Sequence, residues 1–175
     1  DKKIIATYGK VHKAYYEYLL GIGESSAMLD DIKKHIDQPS LKSLILHTAD
    51  SVSSILSLEE SLASINTAIS IKKKLIEWDN NSEYHATLAM AYAELYEYKR
   101  VRDVTAPEIE SILREITKYG QSGYTGLKQA KFNYFDVHLT LLQALNATGK
   151  YDDVQKQAGA ELGSASQAMS KSIQK

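Results

Sequence analysis

Residues 41–78 read LKSLILHTADSVSSILSLEESLASINTAISIKKKLIEW and contain neither glycine nor proline. Within them Leu41, Leu44, Thr48, Val52, Ile55, Leu58, Leu62, Ile65, Ile69 and Ile76 fall near alternating steps of three and four. That spacing keeps one stripe of an α-helix against its neighbours, as in a coiled-coil seam. A half-buried strand would instead alternate at every second residue, and no such run occurs. The stretch therefore predicts one long helix over 41–78, spanning on the order of 54 Å at a rise of about 1.5 Å per residue. Ser40 is its predicted cap. Ser51, Ser53, Ser54 and Asn66 are the places where a break would fall.

On the N-terminal side, a helix over 3–20 is predicted with Ile4, Ile5, Tyr8, Val11, Tyr15, Tyr18 and Leu19 on one apolar face. Gly21 and Gly23 loosen it. Residues 24–36 keep the periodicity through Met28, Leu29, Ile32 and Ile36, either beyond a kink or as a separate short helix. Pro39 then disfavours helical geometry in Gln38.

On the C-terminal side, Asp79-Asn80-Asn81-Ser82 is a turn with a cap, and 82–104 carries Leu88, Met90, Ala91, Tyr92, Leu95 and Tyr98. Thr105 and Glu108 form a predicted capping box around Pro107, opening a helix over 107–119 with Ile109, Ile112, Leu113 and Ile116 inward. Gly-Gln-Ser-Gly-Tyr-Thr-Gly at 120–126 has the composition of a loop. A helix over 127–148 follows, with Phe132, Phe135, Leu139, Leu142 and Leu145 inward and Gly149 closing it. The last, over 151–170, uses Val154, Ala158, Leu162, Ala165 and Met169 but is weakened by Gly159 and Gly163, and fraying is predicted after Ser170. The expectation is a single all-α domain over 1–175, an antiparallel bundle or short solenoid of about six helices.

The 175 residues include 21 basic and 22 acidic side chains, a formal net charge of −1, so no field gathers a polyanion and nucleic acid is not an expected partner. Cysteine is absent, which removes disulfides, thiolate catalysis and Cys-based zinc sites. No apolar run reaches membrane-spanning length. The chain begins at Asp1 rather than Met, which favours a processed, exported protein or a fragment over an intact cytoplasmic start.

Two stretches carry a family resemblance. Asn80-Asn81-Ser82-Glu83, Leu88, Ala91-Tyr92 and Tyr98 resemble the lead-in, the first helix and the aromatic that opens the second helix of a tetratricopeptide-type repeat. The second stretch, 138–154, with Leu141, Ala144 and Gly149-Lys150-Tyr151-Asp152-Asp153, is similar to the interhelical glycine and tyrosine of the same family. They are separated by more than the family period of about 34 residues. The resemblance implies protein or peptide binding in a groove, without catalysis.

No other motif carries chemistry. Of His12, His35, His47, His85 and His138, only His35 has a carboxylate, Asp31, one turn before it on the same face. Two ligands make a surface pair, whereas a stable metal site needs three or four, so no metal is expected. There is no Glu-x-x-His for di-iron chemistry and no Gly-x-Ser-x-Gly elbow. The 120–126 glycines do not follow the phosphate-cradling pattern. Lys72-Lys73-Lys74 reads as a solvated helix end, and the sequons at Asn80 and Asn146 matter only in a glycosylating compartment. No catalytic residue and no cofactor is expected.

Twelve tyrosines stand against two phenylalanines and one tryptophan. A large apolar ring with a polar tip suits helix seams and partner surfaces. Tyr15, Tyr16, Tyr18, Tyr92, Tyr96, Tyr98, Tyr124 and Tyr134 are accordingly the candidate interaction surface. The function expected is that of a noncatalytic interaction or assembly protein binding another protein or its own copy. The alternative is an extracytoplasmic four-helix-bundle sensor, similar in layout to bacterial chemoreceptor ligand domains, holding a small molecule between helices.

Overall fold

A computed structural model describes the backbone of residues 2–102 and 104–173 and the side chains of 5–102 and 104–164. Among the described residues there are eight α-helices and no strand: α1 (Lys2–Gly21), α2 (Ser25–His35), α3 (Pro39–Ser57), α4 (Leu62–Trp78), α5 (Ser82–Arg100), α6 (Ala106–Gln129), α7 (Phe135–Ala147) and α8 (Tyr151–Ile173). The all-α expectation holds. None of the described helices is long and apolar enough to cross a membrane.

The predicted rod over 41–78 is instead a hairpin. Ser53 and Ser54 hydroxyls donate to the Asp50 carbonyl and the Ser57 hydroxyl to that of Ser54, so side chains compete for helix acceptors in the last turns of α3. The backbone then tightens, Leu58 N donating to Ile55 O at 3.1 Å, and Ser61 restarts the chain by accepting from Ser64 N. Lys42 pairs with Asp79 and Lys72 with Asp50 across the two arms, which are antiparallel. Ile55 and Leu58, counted in the predicted seam, lie exposed beside the turn. Pro39 occupies the first turn of α3 behind Gln38, so Ser40 is not its cap.

A second correction concerns 120–126, which is helix and not loop. Gly120, Gly123 and Gly126 are three residues apart and lie where α6 meets its neighbours. A Cβ at Gly123 would fall 2.7 Å from the Ala86 backbone nitrogen, so these residues let α5 and α6 approach closely. The helix predicted to stop at 119 thus continues to Gln129. The one predicted over 127–148 begins only at Phe135, after a turn containing Lys131 in the left-handed region (φ 60°). Phe132, Phe135 and Leu139, placed inward by periodicity, are exposed.

Smaller differences follow the same logic. The predicted capping box does not form: Thr105 precedes α6 without a side-chain cap bond, its carbonyl accepting from Glu108 N at 3.1 Å, and the Glu108 carboxylate pairs with Lys99. Helix α5 ends at Arg100 rather than 104, and α2 is a separate helix. Gly149 (φ 73°) closes α7 as predicted, with Lys150 N donating back to Leu145 O at 2.9 Å. The α8 backbone stays helical to Ile173, past the predicted fraying point, while Leu162 faces solvent. Inward positions predicted at Ile4, Ala165 and Met169 lie outside the described side chains.

Each helix packs on the next, and α1 with α3, α3 with α5 and α5 with α7 also touch. The odd-numbered helices therefore form one continuous row. Its core has three linked clusters. The first joins α1 to α4 around Tyr16, Met28, Ile32, Ile45, Leu46, Ile71 and Leu75, takes in Tyr84 of α5, and has Trp78 against it. The second centres on Leu88, Ile112 and Ile116, and the third on Ala89, Tyr124 and Leu141. Ile76 packs on the first and second, and Tyr119 on the second and third.

Candidate functional site

The eight candidate tyrosines do not make one surface. Tyr16, Tyr92 and Tyr124 are 0%, 7% and 8% exposed and belong to the core. Each ring is buried with its polar end or face partnered. Tyr16 donates to Asp31 Oδ2 at 3.0 Å, Tyr92 stacks on Tyr119, and Tyr124 stacks on His138 with centroids 4.3 Å apart. Tyr96 and Tyr98 are half-buried at the edge of the second cluster, where the Arg102 guanidinium lies over the Tyr98 ring. Tyr15 and Tyr18 are exposed.

Helix α1 shows why its tyrosines separate. His12, Tyr16 and Leu19 are buried, and Gly9 lies against Leu44 of α3. Val11, Tyr15, Tyr18 and Ile22 are 60%, 43%, 62% and 53% exposed. At about 100° per residue they lie roughly 180–240° around the helix from Gly9, on the side away from α3. The single apolar face predicted for this helix is therefore two faces, one packed and one bare. The bare one repeats at four, three and four residues, the order Val, Tyr, Tyr, Ile reading nearly the same from either end.

Tyr124 and Tyr134 do come together, around Glu161 of α8. Tyr124 Oη donates to Glu161 Oε1 at 2.5 Å, Tyr134 Oη to Oε2 at 2.9 Å, and Lys128 pairs with the same carboxylate. The Lys128 ammonium and the two hydroxyls hold this carboxyl down to about 2. A depressed folded value means that the stabilisation is complete above the unfolded carboxyl value of about 4.3 and is lost as pH falls through about 2. None of the described α8 side chains, 151–164, is fully buried, so this network is its principal described polar anchor. Protection of α8 amides against hydrogen exchange, relative to an unstructured peptide at the same pH, is expected to fall selectively as pH drops from about 4 to about 2, with Glu161→Gln showing the lower protection already at neutral pH. Equal loss of protection in α3 and α8 would refute the anchor.

Two further polar clusters join helices, one buried and one half-buried. Lys72, read from the sequence as part of a solvated run, is wholly buried. It donates to Asp50 Oδ1 at 2.7 Å, to Ser54 Oγ at 2.7 Å and to the Asp50 carbonyl at 3.3 Å, and Thr87 donates to the same Oδ1 at 2.7 Å. Lysine and carboxylate are thus spent on joining α3, α4 and α5. Burial pulls Lys72 below the ordinary lysine range and Asp50 opposes that pull. Lys73 instead reaches the Tyr92 ring and Lys74 pairs with Glu77 at the surface.

The other cluster joins α1 to α2. His12 comes up against the Asp31 and His35 pair, and one ligand atom from each of the three lies within 4.8 Å of the others. His12 Nδ1 bonds the Tyr8 carbonyl at 3.2 Å and His35 Nδ1 the Asp31 carbonyl at 2.8 Å. A carbonyl only accepts, so both Nδ1 atoms carry the proton. Asp31 and His35 are legible in the sequence as a pair one turn apart, whereas His12 is not joined to them by any spacing. Its only local signal is the Tyr8, His12, Tyr16 series at one-turn steps.

Comparisons with protein-family models, with curated proteins and with solved structures give no match to this chain.

Proposed function

We propose that the protein is a noncatalytic helical interaction module that pairs with a second copy of itself through the bare face of α1. The observation that carries this reading is the exposed Val11, Tyr15, Tyr18 and Ile22 stripe. Among the described helices none covers this face of α1. An apolar stripe there calls for a partner.

The order of the side chains favours a copy of the same chain. A two-fold axis between Tyr15 and Tyr18 sets tyrosine opposite tyrosine and valine opposite isoleucine, the self-complementarity that an isologous pair requires. Each such side chain gains about 1.5–3 kcal/mol when fully buried, against an association cost of roughly 4–15 kcal/mol. Four from each copy support a reversible dimer.

Sedimentation velocity over a range of concentrations is expected to show a monomer–dimer equilibrium. Tyr18→Glu should raise the Kd by about 10–30-fold while leaving helix content unchanged, since this ring lies outside the core. A monomer at every concentration, or a dimer indifferent to Tyr18→Glu and Val11→Glu, would refute this.

A further inference from the structure

We infer that His12, Asp31 and His35 form a binding site for a divalent transition-metal ion of the zinc class, which would clip α1 to α2. The ligand atoms come from two helices and converge within 4.8 Å. His12 Nε2 lies 3.6 Å and His35 Nδ1 3.8 Å from Asp31 Oδ2. Both separations are too long for hydrogen bonds. The His12 Nε2 to Asp31 Oδ2 separation is close to the edge of a tetrahedron with metal–ligand bonds of about 2.0–2.1 Å, which is roughly 3.4 Å. His12 Nε2 and Asp31 Oδ2 are thus spaced as ligands of a shared ion rather than as a bonded pair, with the His35 ring beside them.

The surroundings fit that role. His35 would reach the ion through Nδ1 by giving up its bond to the Asp31 carbonyl and moving its proton to Nε2, while His12 anchors Nδ1–H on the Tyr8 carbonyl one turn earlier, which fixes the ring and leaves the Nε2 lone pair free. Metal-bound histidines are commonly oriented this way. Tyr16 holds the carboxylate through its hydroxyl at 3.0 Å, and the Tyr8 ring stacks on His12 at 4.1 Å with its edge toward His35. The side chains of His12, Asp31 and His35 are 11%, 18% and 21% exposed, so an ion can enter and a fourth position remains open to water. Two imidazoles and one carboxylate suit Zn2+, Co2+, Ni2+ or Cu2+, whereas Ca2+ and Mg2+ prefer all-oxygen shells.

Calorimetric titration of the full chain with Zn2+ is expected to show one equivalent bound, and Co2+ to give the visible absorption of a four-coordinate ion. Asp31→Asn, which keeps the volume and the acceptor for Tyr16, and His35→Gln should each weaken Zn2+ binding by at least about tenfold. His47→Gln, on the exposed face of α3, should leave it unchanged. Absence of stoichiometric binding, binding that survives both Asp31→Asn and His35→Gln, or equal loss in His47→Gln would overturn the site.

Discussion

Asp50→Ala is expected to destabilise the protein by about 3–5 kcal/mol in urea denaturation, because removing one member of a buried ion pair strands the other. Lys72 is wholly buried and Asp50 nearly so, on facing arms of the α3–α4 hairpin. The alanine variant keeps the Ser54 hydroxyl and the residue 50 carbonyl as acceptors but loses the counter-charge. Burial then acts on Lys72 unopposed and drives it further below its ordinary value. A folded chain that holds this proton less tightly than the unfolded chain gains stability as pH rises. The deficit should therefore be largest at acid pH and shrink toward about pH 10, the ordinary lysine range. Lys72→Met should also be costly, while Asp50→Ala combined with Lys72→Met should lose clearly less than the sum of the two. A single-variant deficit below about 1 kcal/mol, with additive behaviour in the double, would show that the pair is not isolated from water.

Gly123→Ala should lower stability by about 1–3 kcal/mol, although the same change in an open helix ordinarily raises it by up to about 1 kcal/mol. The added methyl would stand 2.7 Å from Ala86 N and 2.8 Å from Ala86 Cα, both backbone atoms that rotamer changes cannot move away. Helices α5 and α6 would have to separate along their whole seam. Gly159 of α8 is the internal control. Nothing lies within 4 Å of its added Cβ, so Gly159→Ala should stabilise. Thermal melts of the two variants should move in opposite directions. If both rise, the close α5–α6 contact is wrong.

These two sites also show what could be read in the residues. The helical class was legible because apolar steps of three and four persist from Leu41 to Trp78, a period that strands do not produce. The turn at 58–61 was not, since Leu58, Glu59 and Glu60 are good helix formers and the reversal is held by partners far along the chain, Asp50 with Lys72 and Lys42 with Asp79. Gly120, Gly123 and Gly126 were read by composition as a loop, when their three-residue spacing places them on neighbouring parts of one helix face. Tyr16 looked like a surface residue because the acceptor that permits its burial, Asp31, lies on another helix. His12 was isolated for the same reason. Local spacing shows what one helix offers, and the second helix decides which of those offers is taken up.

The placement of the sole tryptophan has a practical consequence. Trp78 closes α4 and packs on the cluster built mainly from α1 to α4, leaving the far α6 to α8 end without an indole. Its fluorescence thus follows one end of the array, whereas far-ultraviolet ellipticity sums over all eight helices. Recorded together, the two signals separate the unravelling of that end from the melting of the whole.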